Sequence, residues 1–318
     1  MSLNLSALAS QPRLLLEVPL KPLQGSRFQP TGFPDLGAAT YEHNQVSMLL
    51  VESAQSMANR LEAACWDEAT NDLVAPLQGL PYVKSVLPDG TTTSSILEAH
   101  RINSPYIVKS KGFEAIQADV GFEPNKPFNR NKLVLALLKY DPSSLLHGIF
   151  LEKIGGVVRL PRVISSFIEA SKVNVVANGG VKVDRIQPSS SGDSTAYGKA
   201  KDGYGNVPYH RDEYVAEEIT AFFNLDLAQL RGYGLPKEAE TLLVALSLYK
   251  IQKVLRDGLR LRTACDLEPA GAVVIKRPEE GFTLPSIAEL EKELPTLIKA
   301  ASSSFANPVV TEVKYTKA

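Results

Sequence analysis

The sequence predicts an α+β protein, an antiparallel sheet with helices packed on one face. Three observations carry this. Period-two and helical apolar patterns intermix along the chain without a βαβα rhythm. No Gly-rich phosphate loop opens a helix after a strand, which argues against a nucleotide-binding parallel sheet. Over 318 residues, an apolar content of 44% and a charged content of 22% are those of a globular chain able to bury a sizeable core.

The first element is a half-buried strand, in which Leu14, Leu16, Val18 and Leu20 alternate with Arg13, Glu17 and Lys21. A Gly/Pro-punctuated loop over 24–37 follows. The spacing of Val46, Leu50, Ala54, Met57 and Leu61 then predicts a long helix from about Asn44 to Leu61. Its other face carries Gln45, Glu52, Ser56 and Asn59, with Ser53, Gln55 and Arg60 beside them. Ser and Asn lower helix propensity. Either this row meets a polar partner such as ribose hydroxyls and phosphate oxygens, or it is an indifferent solvated face. Residues 67–97 read as turns, with 95–100 open between strand and short helix. Leu133 to Tyr140 predicts a short helix stopped by Asp141-Pro142.

Residues 155–185 read as β-rich, and Asn178-Gly179-Gly180 between two β-branched runs predicts a hairpin turn. The stretch 184–214 has no apolar period, and a loop of that length is functional or disordered. With the hairpin it predicts a protruding insertion. Glu217 to Leu230 reads as a core strand or helix. Pro236 to Asp257 predicts a buried helix with clear ends: Pro236 at the first turn, Glu238 and Glu240 after it, Gly258 closing it. In Leu259-Arg260-Leu261-Arg262 the leucines point one way and the arginines the other, as a strand demands. Those arginines either meet phosphates or pair with acids such as Asp257 and Asp266. Ala272 to Lys276 reads as a further strand. Pro285 to Lys299 reads as an amphipathic helix with Ile287, Leu290, Leu294 and Leu297 inward, and the last residues as an edge strand or a loose tail.

Composition limits the chemistry. With 34 basic and 35 acidic residues the net charge is -1, whereas nucleic-acid-binding domains are often strongly basic. A polyanion partner therefore requires a local basic groove. Cys65 and Cys265 belong to no metal-ligand spacing. His43, His100, His147 and His210 are scattered, and no Gly-x-Ser-x-Gly elbow is present. The N-terminus has no signal-peptide pattern and no apolar run reaches bilayer length. The expectation is a cytoplasmic protein with no membrane partner, no cofactor, no metal and no catalytic residues.

Two long runs carry a resemblance: QGSRFQPTGFPDLGAA at 24–39 and LVESAQSMANRLE at 50–62, continued by Cys65-Trp66-Asp67. They resemble the backbone subunit of CRISPR type I effector complexes (Cascade), in the I-G variety formerly called I-U, of the Cas-seven (RAMP) superfamily. The likeness is sharpest over 13–66 and continues through 98–106 into the C-terminal third. It implies an RRM-like (ferredoxin-like) antiparallel core with long insertions, one elaborated domain over 1–318, and 171–214 as a thumb reaching the next subunit. It also implies a non-catalytic crRNA-binding protein that polymerises head to tail along the guide and presents it for pairing with target DNA. Further partners would be a cap subunit at one guide end and a large subunit. Candidate RNA-binding residues are Gln24, Arg27, Phe28, Gln29, Gln45, Ser53, Ser56, Asn59, Arg60, Arg101, Asn103, Ser104, Arg159, Arg162, Arg260 and Arg262, and Lys172 and Lys276 are named with the basic and polar candidates. Arg27 and Phe28 would combine phosphate binding with base stacking, or Phe28 is a core or loop anchor. The alternative is a metal-dependent endoribonuclease using Asp35, since related type III backbone subunits cut RNA with a loop aspartate. Otherwise Asp35 simply makes a turn after Pro34.

Overall fold

The computed structural model describes all residues except 1–2, 34, 124, 155, 157, 183–206 and 317–318. In chain order the elements used below are β1 (Arg13–Pro22), β2 (Thr40–His43), β3 (Val46–Glu52), α1 (Ala54–Ala63), β4 (Tyr82–Val86) and β5 (Thr92–Ser94). Then come α2 (Arg130–Tyr140), α3 (Pro142–His147), β6 (Ile149–Leu151), β7 (Val158–Leu160), β8 (Ile164–Ser171), β9 (Asn174–Lys182), β10 (Val207–Val215) and β11 (Glu218–Asp226). The last are α4 (Lys237–Asp257), β12 (Arg260–Arg262), β13 (Cys265–Pro269), β14 (Val274–Arg277), α5 (Ile287–Ala301) and β15 (Val310–Tyr315).

The fold is α+β and organised by one eight-stranded sheet in the order β12-β13-β1-β11-β8-β3-β2, with β14 also pairing β1. All its ladders are antiparallel. The period-two reading of β1 holds: Leu14, Leu16, Val18 and Leu20 are all buried. Ile219, Ala221, Phe223 and Leu225 of β11, and Ile164, Ile168 and Ala170 of β8, continue that buried face. The opposite face carries the stacked cross-strand pair Phe167 and Phe222, ring centroids 5.0 Å apart. Helix α4, buried over 242–251, packs on α1, β13 and α5. Helix α5 starts on a Ser286/Glu289 capping box and turns Leu290, Leu294 and Ile298 inward. Among the described residues no helix is long and apolar enough to cross a membrane.

The structure corrects several expectations. The long helix from Asn44 does not form. Its first half is strand β3, paired to β2 and β8, and only α1 is helical. Asn44 and Gln45 both adopt positive φ in the β2–β3 turn, a conformation Asn tolerates. A short apolar run such as 48–51 satisfies either period, and sheet pairing decides it. Asn178-Gly179-Gly180 is not a turn. It lies mid-strand in β9, opposite Arg211, His210 and Tyr209 of β10. Those glycines are there for space: a Cβ on Gly179 would sit 2.8 Å from the Tyr209 carbonyl oxygen, and one on Gly180 would sit 3.1 Å from its hydroxyl. The expected insertion 171–214 therefore begins and ends as a two-stranded ribbon, and 183–206 lies outside the described residues.

Residues 67–97 contain β4 and β5 rather than turns alone, and Ser95 to His100 forms turns after β5. The C-terminal β15 is no edge. It runs parallel to β4 and antiparallel to 110–111 in the middle of a four-stranded sheet. Glu217 to Leu230 is both of its alternatives, strand β11 followed by a short helix, Leu227–Arg231. Helices α2 and α4 match their predicted spans closely, Asp141 and Gly258 standing at their C-caps.

Candidate nucleic-acid interface

Five of the sequence-predicted residues, Asn59, Arg101, Asn103, Arg159 and Arg162, line one groove of about 870 Å³. Three segments build it. Helix α1 contributes Gln55 and Asn59, the 99–109 segment contributes His100 and Lys109, and the β6–β7 hairpin with its exit contributes Lys153, Arg159 and Arg162. His100, Lys109, Lys153 and Arg159 are exposed, and Glu152 is the one carboxylate among the described residues that line the groove. A chain with net charge -1 thus concentrates cations at one concavity.

Arg162 is half-buried there and donates to the Ala54 carbonyl (3.4 Å) and to Gln55 Oε1. Burial, and then the charge of Arg101, hold its guanidinium below the usual arginine value. An incoming anion would relieve that crowding. Beneath the groove, Lys250 is buried and donates to Ser143 Oγ (2.8 Å). Its Nζ also lies 2.8 Å from His147 Nε2. Burial first, then the charges of Lys250, Arg101 and Arg162, push His147 well below the ordinary imidazole value. The neutral ring then accepts from Lys250 at Nε2 and carries its proton on Nδ1. His147 Nδ1 and Asn103 Oδ1, both on groove-lining residues, have no hydrogen-bond partner among the described residues.

The remaining predicted residues do not converge on the groove. Arg60 and Arg260 line a second cleft, of about 520 Å³, reached from the adjoining face of α1. Gln24 and Arg27 are exposed, and Arg27 Nε lies 3.9 Å from Glu213 near the base of the β9–β10 ribbon. Gln29 is half-buried and its carbonyl accepts from Arg262 (2.8 Å). Lys172 pairs with Glu217 at 2.7 Å, and Lys276 lies 3.7 Å from Glu17. Gln45 sits in the distant β2–β3 turn.

Several assignments give way to structural roles. Phe28 is 1% exposed and bridges Tyr214 through both backbone groups at 2.9 Å, so its ring is core and unavailable to a base. Arg101 is 6% exposed and forks onto buried Glu62 at 2.6 and 2.7 Å, so it forms the groove floor instead of its contact surface. Burial raises the Glu62 carboxyl, and the Arg101 charge opposes that shift. Ser104 is fully buried and caps the helix Pro105–Val108, its hydroxyl donating to Glu98 (2.7 Å). Ser53 caps α1.

Glu52, read as part of a polar helix face, is buried at the end of β3. It accepts from Ser56 Oγ, Arg60 Nε (3.1 Å) and Arg262. Arg60 and Arg262 are thereby committed to tying β3, α1 and β12 together. Of the two alternatives for Arg262, pairing with an acid is the observed one, though the acid is Glu52 instead of Asp257 or Asp266. Asp35 is exposed in a turn, and among the described residues no group of three or more His, Cys, Asp or Glu is placed to hold a metal ion.

Sequence reasoning missed His100, Lys109, Phe150 and Lys153. Single cations in loops carry no period, and the groove is assembled from segments that are distant in the chain. One signal was present: Phe150 between Ile149 and Leu151 must face away from the core if its neighbours are buried.

A basic-rimmed groove on an antiparallel α+β fold suits an extended polyanion. The chain belongs to the family described as CRISPR-associated protein GSU0053, whose model matches residues 14–175 of the 318. No curated protein matches it. Among solved structures, a chain of a CRISPR RNA-guided surveillance complex in a pre-nicking state is similar at 14% identity, over 91% of this chain and 89% of that one, with a TM-score of 0.42. A second surveillance-complex chain gives 14% identity over 91% and 84%, TM-score 0.41. Csc2 from Thermofilum pendens gives 12% over 92% and 79%, TM-score 0.32.

Proposed function

We propose that this CRISPR-associated protein is a crRNA-binding backbone subunit of a type I effector complex of the I-G variety. Copies polymerise head to tail along the guide and present it for pairing with target DNA. The complex adds a cap subunit at one guide end and a large subunit. Its fold is one elaborated RRM-like domain with 171–214 as the thumb. The order β13-β1-β11-β8, with α1 between β1 and β8 and α4 between β11 and β13, supports that reading. So does the direction of the strands, since β1 and β8 both run antiparallel to β11.

The observation that carries the RNA-binding role is the groove, where His100, Lys109, Lys153, Arg159 and Arg162 face one carboxylate, Glu152. Backbone contacts of this kind hold a strand without reading its sequence, which base pairing supplies. The test is purification from cells with and without a CRISPR array. The expected result is co-eluting RNA of guide sequence only when the array is present. Protein free of RNA in both preparations, or loaded with unselected RNA in both, would count against the role. We propose further that the chain is not an enzyme: guide-loaded protein with added divalent metal should leave complementary RNA intact, and Asp35→Ala should change nothing.

A further inference from the structure

The β6–β7 hairpin carries an arrangement that phosphate binding leaves unused. Phe150 and Arg159 are directly opposite in its register, so both side chains stand on the same face. The inward residues Ile149, Leu151, Val158 and Leu160 are all buried, which fixes Phe150 and Arg159 outward. Phe150 is 37% exposed, and the Arg159 guanidinium lies over its ring, 4.2 Å from the centroid. Arg159 pairs with no carboxylate among the described residues, and both residues line the groove. An exposed guanidinium held over a ring has a second face left to offer. That face is a plane of the size and polarity on which unstacked nucleobases settle.

We infer that this end of the groove seats one unpaired nucleobase of single-stranded RNA, stacked on the Arg159–Phe150 pair, with neighbouring phosphates on the lysine rim. The inference rests on the RNA-binding reading above. Every base offers a π-face, so the seat is tolerant of sequence.

Direct titration of the full chain with oligoadenylate, and with an abasic ribose-phosphate chain of equal length, tests it. Arg159→Lys keeps the charge and removes the plane, while Phe150→Leu removes the ring beneath it. Each is expected to weaken oligoadenylate binding on the order of tenfold, with the salt dependence unchanged and no loss on the abasic chain. Thermal melts coincident with wild type establish that the variants are folded, and Arg159→Lys, on an exposed side chain, serves should Phe150→Leu unfold. Wild-type affinity in Arg159→Lys, or equal losses on both chains, would overturn the seat while leaving RNA binding intact. Failure of the wild-type chain to bind either ligand would overturn the seat and the RNA-binding reading together.

Discussion

At the residue scale, much of the polar chemistry under the groove is spent on holding its floor. Glu62 is buried and its partner is Arg101, so Arg101→Ala strands a carboxylate in the interior. Removing one member of a buried pair costs about 3–5 kcal/mol, and a denaturant midpoint should register that loss. His147 sets a pH dependence of definite sign. Its folded value lies well below 6.5, so below about pH 6.5 the unfolded chain takes up a proton that the folded chain refuses. Its stabilisation is complete above that pH and falls away as pH drops, by up to about 1.4 kcal/mol per pH unit. Glu62 and Asp141, both raised by burial, act oppositely: their contribution is present at low pH and lost as pH rises through their folded values. They remain in His147→Gln, so the difference between that variant and wild type isolates the histidine. The variant should lose the one-proton slope between about pH 6.5 and 5, and an unchanged slope would show that His147 titrates normally.

At the element scale, legibility follows from how local the deciding forces are. Strand β1 and helices α2, α4 and α5 were readable because caps and apolar periods are written in their own residues. Strand β3 was not, because a run that fits both periods is settled by β2 and β8, which lie elsewhere in the chain. Glycines 179 and 180 misled for a related reason: the same residue that permits a turn also permits close approach of Tyr209 across a ladder. The groove was legible only in part. Asn59, Arg159 and Arg162 do meet in one groove, whereas Phe28, Ser104 and Arg262 are held inside by partners no local pattern reveals. Gly148 joins α3 to β6 at φ +76°, and a Cβ there would stand 2.8 Å from the Leu160 carbonyl oxygen and 3.0 Å from the Arg162 amide. Gly148→Ala should therefore displace the β7 wall, costing about 1–3 kcal/mol of stability and weakening RNA binding in a titration. Wild-type behaviour in both respects would mean the wall is more compliant than its spacing indicates.

At the scale of the whole molecule, the account turns on charge placement. The chain has a net charge of -1, yet its described residues form a concavity where cations outnumber acids. Arg60 and Arg262, tied to Glu52, should matter for folding more than for RNA affinity. The most direct test of the groove is the salt dependence of single-stranded RNA binding by wild type and by a Lys109→Gln, Lys153→Gln double variant. The account predicts weaker binding by the variant and a log–log salt slope shallower by about 0.7 for each phosphate left without a neutralising lysine. An affinity and slope equal to wild type would contradict it and move the RNA to another surface.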